Sequence, residues 1–194
     1  PVPSRNGRLI AYTGVDAHQD TYRNQKIYVM NRDGSGSRMI SGDYDRQSSG
    51  LQWAPDGSGL YFSASREGYR SLHFVSIDGG VTQLTKDKQL LSFSSFSDDG
   101  NIAVGTISSA HEPGDIYRFD LSNPSDLTRL TEVNVDVLHG ITFGEVEEIS
   151  YESDPFHIQG WIVKPPNFDQ DRVYPMMLVI HGGPHGMYNG GFNF

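Results

Sequence analysis

The sequence contains no cysteine and no long apolar run, and it is poor in positive charge. Without cysteine the chain can form no disulfide, no catalytic thiolate and no cysteine-ligated zinc site. No stretch of about 18 consecutive apolar residues occurs, so no membrane-spanning helix is predicted. The 15 Lys and Arg residues face 24 Asp and Glu, which gives a net charge of −9. Because nucleic acids and anionic lipids attract basic surfaces, neither is an expected partner.

Glycine, by contrast, is abundant, with 22 residues spread along the 194 positions. This exceeds the usual share of about 7%. Apolar residues make up 36% and aromatic residues 11% of the chain, which is too much for a disordered segment. The composition is typical of many short strands joined by tight turns.

A repeat of about 44 residues runs through the first two thirds of the chain. Its most regular part is a short strand pattern, which occurs at Ile27–Met30, Leu72–Val75 and Ile116–Phe119. Each copy is followed by a turn and then by a second short pattern that ends in a hydroxyl residue, at Arg38–Ser41, Gln83–Thr85 and Arg129–Thr131. The repeat indicates three copies of one structural unit.

Each unit also opens with a strand, a turn and a second strand. The clearest copy is Leu51–Phe62, the next is Phe96–Val104, and the first unit keeps only Asn6–Tyr12. Asp-Gly and Gly-Gly pairs at the turns favour hairpins, because these residues tolerate positive φ. Four strands in about 44 residues is typical of a β-propeller blade. We therefore predict a mainly β fold with about three four-stranded blades over residues 1–140, and the alternative is a β-sandwich with coincidental turn spacing.

Residues 141–194 follow a different pattern and predict a second domain. A strand around Glu145–Tyr151, a turn at Ser153–Pro155 and a returning strand at Phe156–Lys164 come first. The unbroken apolar run Met176–Ile180 then predicts a strand that is buried on both faces of a mostly parallel α/β sheet. This strand leads directly into the sequence His-Gly-Gly, where two glycines allow a sharp turn and a close approach of the backbone to a ligand.

The motifs of the second domain resemble the start of the peptidase domain in acylaminoacyl-peptidase-like and dipeptidyl-peptidase-like members of the prolyl oligopeptidase family. The resemblance is carried by four short segments, at Gln159–Trp161, Lys164–Pro166, Tyr174-Pro175 and Ile180–Gly186. The repeats, in turn, resemble the propeller blades of that family and of TolB-like proteins. The resemblance implies the last blades of a propeller, followed by the first strands of an α/β-hydrolase domain. It also implies a serine peptidase that acts on short or N-acylated peptides and needs no cofactor.

The resemblance further implies that Gly183 donates its backbone N–H to an oxyanion hole, with Gly182 and His181 positioning it. His181 stands where some relatives have a tyrosine whose hydroxyl contacts the oxyanion. No Gly-x-Ser-x-Gly motif occurs in the sequence, and no serine follows Ser153. In α/β-hydrolases the catalytic Ser, Asp and His all follow this strand. We therefore expect this chain to be an inactive piece of a longer polypeptide whose C-terminal remainder, a partner of this piece, supplies the triad.

Three other groups of residues are candidates for a functional role. Arg66 and Glu67 lie in a loop of the second blade and could contact substrate, or could form a solvated hairpin. Glu147 and Glu148 could bind a substrate amino terminus, although alternation along a strand should place one on each face. His181 and His185 have the spacing of a metal pair on a helix, but the intervening Gly-Gly-Pro excludes a helix and we expect no metal.

Asp16–Asn24 is a polar insertion, and Trp53 and Trp161 are expected core aromatics. Unpaired blade edges would favour homo-oligomers. A cytoplasmic location is expected without excluding secretion. The sequence does not distinguish acylaminoacyl, dipeptidyl and internal cleavage. The alternative function is a non-enzymatic, TolB-like propeller that binds a partner.

Overall fold

The computed structural model of the chain describes residues 1–15, 23–85, 88–183 and 186–192. The first twelve strands are β1 (Val2–Pro3), β2 (Leu9–Gly14), β3 (Lys26–Asn31), β4 (Arg38–Met39), β5 (Ser48–Trp53), β6 (Gly59–Arg66), β7 (Tyr69–Ser76), β8 (Val81–Gln83), β9 (Leu90–Phe96), β10 (Ile102–Ser109), β11 (Glu112–Asp120) and β12 (Asn123–Arg129). A short helix, α1 (Val135–Leu138), and two further strands, β13 (Val146–Ser153) and β14 (Phe156–Val163), follow. The predicted insertion Asp16–Asn24 falls largely on residues 16–22, which lie outside the described residues.

The twelve strands form three antiparallel blades of four strands each, as the repeat predicts. Strands β1 to β4 form the first blade in sequential order, β5 to β8 the second and β9 to β12 the third. A parallel pairing between Arg70 and Leu90 joins the second blade to the third. The three recurring strand patterns are β3, β7 and β11, which occupy the third place in their blades. The prediction of a partial propeller is therefore confirmed.

Aspartates hold the tight turns of the blades. The Oδ1 atoms of Asp33, Asp56 and Asp120 each accept hydrogen bonds from the backbone N–H and the hydroxyl of the serine two residues later, at 2.7–2.9 Å. These hydrogen bonds lower the pKa of all three carboxyl groups. The serine hydroxyl has the larger effect on the pKa of Asp33 and of Asp120, and the serine N–H has the larger effect on the pKa of Asp56. These bonds favour the charged carboxylate in the folded chain.

Acid should therefore weaken the fold through these turns. A pKa below the unfolded value of about 3.9 means that the stabilisation is present above that pH and is lost as the pH falls through the folded pKa. We expect the combined variant Asp33→Asn, Asp56→Asn, Asp120→Asn to show a flatter dependence of the melting temperature on pH between about pH 5 and pH 3. Circular dichroism melts across this range measure the slope. Parallel curves for the two proteins would contradict the expectation.

In each blade, a side-chain hydroxyl that follows the fourth strand accepts a hydrogen bond from a backbone N–H of the third strand. The backbone N–H groups of Ile27, Leu72 and Ile116 donate to the hydroxyls of Ser41, Thr85 and Thr131, at 3.0, 3.0 and 2.9 Å respectively. In each blade the carbonyl of the same third-strand residue accepts from the residue before the hydroxyl. The repeated Ser or Thr thus has a physical role, since it completes the hydrogen bonding of a strand at the point where its neighbour ends.

Replacing Thr85 with Val should lower the free energy of unfolding by about 1–3 kcal/mol, because it leaves a buried N–H of Leu72 without a partner. The side chain of Thr85 is buried, so water cannot take over the bond. Thr85→Ser keeps the hydroxyl and is the matched control, with a smaller expected loss. Urea unfolding compares the two variants, and equal losses for Val and Ser would show that the hydroxyl itself contributes little.

The core lies between successive blades. Ala11, Ile27, Val29 and Ile40 of the first blade pack against a group of second-blade residues, namely Trp53, Leu60, Phe62, Ala64 and Val75. A second cluster joins Leu72 to the third-blade residues Leu91, Ala103, Ile107 and Phe119. Trp53 is buried as predicted and donates its indole N–H to the carbonyl of Val2 at 2.9 Å.

The outer face of the third blade is open. Ile27 and Ile40 are each 1% exposed, whereas their third-blade equivalents Ile116 and Leu130 are 46% and 52% exposed. The difference arises because the second blade covers the first, and no described residues cover the third in the same way. The association expected from unpaired blade edges stays a prediction.

Among its described residues, the second part of the chain forms one hairpin. Strands β13 and β14 pair along their whole length, with Glu148 opposite Trp161, and form a separate two-stranded sheet. The predicted boundary at residues 140 and 141 lies in the connection between β12 and β13 and stays a prediction. No helix in the described part of the chain is long and apolar enough to cross a membrane.

The prediction that Met176–Ile180 is a strand buried on both faces is wrong for this structure. The five side chains are between 62% and 88% exposed, and the segment pairs with no strand among the described residues. An apolar run becomes a central strand only where neighbouring strands and covering layers exist. Here β13 pairs with β14 alone, so the run has no sheet to enter.

Candidate functional site

The His181–Gly183 loop follows the exposed apolar run and is itself exposed. The Nδ1 atom of His181 donates to the carbonyl of Gly182 at 3.0 Å, and its imidazole meets the ring of Tyr188 edge-on, with centroids 5.8 Å apart. Gly183 has a φ of 155°, a backbone conformation that residues other than glycine rarely adopt. The backbone of the loop is thus accessible to solvent, while the oxyanion role of Gly183 stays a prediction.

The hairpin that contains Arg66 and Glu67 joins β6 to β7. Glu67 and Gly68 have positive φ values of 51° and 75°, which form the tight turn. The Arg66 guanidinium pairs with the Glu67 carboxylate at 2.9 Å, and both side chains are 65% exposed. The backbone of the turn is nevertheless occupied, because the carbonyl of Glu67 accepts from Gln159 at 2.9 Å and that of Gly68 accepts from the N–H of Gly190 at 3.0 Å. The hairpin therefore contacts the second part of the chain, while substrate contact by its side chains stays a prediction.

Glu147 and Glu148 lie on opposite faces of β13, as alternation predicts. The Lys164 ammonium group pairs with Glu147 at 2.9 Å on one face. On the other face, Glu148 accepts from Lys88 at 2.5 Å, from Gln159 at 2.7 Å and from the hydroxyl of Tyr69 at 3.2 Å. The bonds from Lys88 and then Gln159 lower the pKa of Glu148 despite its partial burial. The ionised Glu148 carboxylate therefore lies at the junction between the blades and the β13–β14 hairpin, and its hydrogen bonds there are already made to protein groups.

A cleft surrounds this junction, where the blade loops meet the β13–β14 hairpin. It is lined by Tyr69, Lys88, Ser109, Ala110, His111, Val146, Glu148, Trp161 and Gly190. His111, in the corresponding loop of the third blade, donates through Nε2 to the carbonyl of Gly144 at 2.8 Å and stacks on Phe143. Trp161 is only partly buried, so its predicted place in a core is not what the structure shows. It packs instead against Gly68, in the turn between β6 and β7.

A second cleft lies between the first and second blades and contains Arg66. Tyr44, Asp45, Arg46, Arg66, His73, Val81 and Gln83 line it. The imidazole of His73 is buried between Phe62 and Tyr44, with ring centroids 5.3 and 5.5 Å away, and burial lowers its pKa. The Nδ1–H group donates to the carbonyl of Ser71, so Nε2 of the neutral ring is an acceptor. Arg46, Arg66 and Tyr44 thus line the same cleft, while substrate contact by Arg66 stays a prediction.

No group of three or more His, Asp or Glu side chains within the described residues is arranged to hold a metal ion. His185, one member of the histidine pair considered from the sequence, lies outside those residues, as does Pro184 of the same motif.

The sequence did not indicate the cluster formed by Tyr69, Lys88, Glu148 and Gln159. Tyr69 is 79 residues from Glu148 along the chain, and Lys88 is 60 residues away. The only local signal was the alternation of side chains along the strand. It predicts that Glu147 and Glu148 face opposite sides of the strand, but it does not predict which residues contact them.

Curated relatives of the chain are peptidases by name, although no family model matches it. The chain is 28% identical over 137 residues to the uncharacterized peptidase YuxL of Bacillus subtilis, covering 70% of this chain and 20% of that protein. It is 26% identical over 188 residues to dipeptidyl-peptidase 5 of Porphyromonas gingivalis, covering 95% of this chain and 27% of that protein. The chain thus spans about a quarter or less of the length of these relatives.

Solved structures share the fold. Acylaminoacyl peptidase of Pyrococcus horikoshii superposes on 96% of this chain and 28% of its own, with a TM-score of 0.77 and 23% identity. A putative TolB of Agrobacterium tumefaciens matches 66% of this chain and 47% of its own, with a TM-score of 0.53 and 21% identity. The resemblance to peptidases of the prolyl oligopeptidase family, stated from the motifs, is confirmed.

Proposed function

We propose that this relative of the prolyl oligopeptidase family is part of a serine peptidase and contributes the Gly183 N–H to its oxyanion hole. In such an enzyme the serine hydroxyl attacks the substrate carbonyl while a histidine accepts its proton. The carbonyl oxygen gains negative charge, which backbone N–H groups stabilise. Collapse of the intermediate breaks the peptide bond as the histidine gives its proton to the leaving amine, and the acyl-enzyme that remains is hydrolysed by water. The nucleophile and its partners come from the rest of the polypeptide.

The observation that carries this proposal is the extent of the likeness to peptidases. Similarity to dipeptidyl-peptidase 5 extends over 95% of the chain and so includes both the blades and the segment with the His-Gly-Gly loop. The exposed backbone of that loop is compatible with an anion ligand.

The alternative is a propeller that only binds a partner. Three blades alone would support it, and the likeness to the putative TolB covers 66% of the chain. The acylaminoacyl peptidase likeness covers 96%. This difference favours the peptidase, because it adds most of the chain beyond the blades. We propose short peptides, free or N-acylated at the amino terminus, as the substrate class.

A fluorophosphonate probe, which reacts covalently with activated serines, tests the proposal. We expect the full-length protein to be labelled on one serine outside these 194 residues, and the chain on its own to remain unlabelled. Chromogenic dipeptidyl and N-acylaminoacyl substrates, offered to the full-length protein, then separate the two cleavage types. Stoichiometric labelling of the isolated chain, or none of the full-length protein, would contradict the proposal.

A further inference from the structure

We infer that the Glu67–Tyr69 turn of the second blade positions the His181–Gly183 loop. A hairpin of the propeller would thereby determine the direction of the Gly183 N–H, the proposed oxyanion donor. The inference rests on the proposed function. Its residues are positioning residues, because they would act through the loop and contact no substrate.

The Glu67–Tyr69 turn is in tight contact with residues 186–190, the segment that follows the His181–Gly183 loop. The N–H of Gly190 donates to the carbonyl of Gly68 at 3.0 Å. A Cβ atom at Gly190 would lie 2.7 Å from the ring of Tyr69, and one at Gly68 would lie 3.4 Å from Cα of Asn189. A larger residue at position 190 would therefore displace either the ring of Tyr69 or the segment itself. The segment therefore rests on the turn in one defined position.

The same segment reaches back to the loop. Tyr188, two residues before Gly190, packs its ring edge-on against the imidazole of His181. A Cβ atom at Gly186 would lie 2.6 Å from the carbonyl oxygen of Gly182, so the backbone returns closely upon the loop. A displacement at Gly190 is thus transmitted to His181 and Gly182 through direct contacts.

The turn itself is held from its other side by the β13–β14 hairpin. Gln159 donates both to the carbonyl of Glu67, at 2.9 Å, and to Glu148, at 2.7 Å. Tyr69 donates to the same carboxylate, whose side chain is 26% exposed. A Cβ atom at Gly68 would lie 2.4 Å from the ring of Trp161, so the indole packs directly on the turn. Contacts with β13 and β14 therefore hold the Glu67–Tyr69 turn in place, and the turn in turn holds the segment that contains Gly190.

Precise placement matters because an oxyanion donor acts only within hydrogen-bond distance of the developing charge. A misplacement of about 1 Å can cost about a hundredfold in rate. We therefore expect Gly190→Ala, which pushes the segment away from Tyr69, to lower kcat by roughly tenfold to a hundredfold with KM little changed. Glu148→Gln, which weakens the support of the turn without adding bulk, should lower kcat by a smaller factor.

Steady-state kinetics of the full-length peptidase on a small chromogenic peptide measure these effects. Gly160→Ala is the matched control for Gly190→Ala, because its Cβ would come no closer than 3.7 Å to the side chain of Ile149. Glu152→Gln, on the same strand as Glu148 but paired with His157 near its far end, is the control for Glu148→Gln. Both controls should retain normal kcat and KM.

A combined variant separates positioning from general weakening. If Gly190 acts through Gly183, adding Gly190→Ala to Gly183→Pro should lower kcat little further. Full additivity, or normal kcat in folded Gly190→Ala and Glu148→Gln, would overturn the inference. Gly183→Pro alone keeps the two proposals apart. A normal kcat in that variant refutes the oxyanion assignment, whereas a large loss there with normal Gly190→Ala refutes only the positioning role. Should Gly190→Ala not fold, Glu148→Gln decides.

Discussion

If the full-length protein is the peptidase proposed above, replacing Gly183 with Pro is expected to lower its kcat by about 10²–10³, or roughly 3–4 kcal/mol, with KM nearly unchanged. Proline has no backbone N–H, so the variant removes the proposed donor. The donor interacts with charge that exists only near the transition state, and its loss therefore falls on kcat. Kinetics on a small chromogenic peptide, with circular dichroism to verify the fold, measure the effect.

Two controls separate the lost N–H from changes in the backbone. Gly183→Ala keeps the N–H but strains a backbone whose φ is 155°, so its smaller loss measures strain alone. His181→Ala removes the ring that contacts Tyr188 and should also cost less than the proline variant, since the side chain only positions the loop. Near-normal kcat in a folded Gly183→Pro protein would place the oxyanion donor elsewhere.

Replacing Phe62 with Ala should lower the free energy of unfolding by about 3–5 kcal/mol. Phe62 is fully buried in the cluster between the first two blades, where it stacks on His73 and meets Tyr44 edge-on. Truncation to Ala loses this apolar burial and leaves a cavity that neighbouring strands, held by their hydrogen bonds, cannot fill.

Urea unfolding with Phe62→Leu and Phe156→Ala as controls tests this expectation. Leucine retains much of the volume and should cost less than about 1.5 kcal/mol. Phe156 starts β14 and is 64% exposed, so its truncation should change stability by no more than about 0.5 kcal/mol. Comparable losses at positions 62 and 156 would mean that the interface between the blades does not dominate stability.

The blades could be predicted because their signals are local. Asp-Gly turns and strand alternation act over a few residues, and their threefold recurrence identified the third strand of each blade at Ile27, Leu72 and Ile116. The hydroxyl that ends each unit was also visible as a pattern. Its purpose, to satisfy the N–H of that same third-strand residue, became evident only from the structure.

The His-Gly-Gly motif was likewise visible, since glycine content and its place after an apolar run need no partner to be recognised. The strand assigned to Met176–Ile180 was not correct, because hydrophobicity specifies a preference for burial and not the presence of neighbours. The same limit applies to Ile40 and Leu130, which are equivalent in the repeat yet differ from 1% to 52% in exposure.

The sequence by itself determined the repeat, the turns and the motif that indicates a peptidase, since each depends on interactions between residues close along the chain. Only the tertiary structure decided which repeat positions are buried. It alone brought Tyr69 and Lys88 to Glu148 and placed Gly190 on the turn at Gly68. These contacts join residues that are 60 or more positions apart, so they depend on how the blades and the β13–β14 hairpin pack. Short-range patterns carry no information about that packing, and the support of the candidate site therefore arises only in the folded chain.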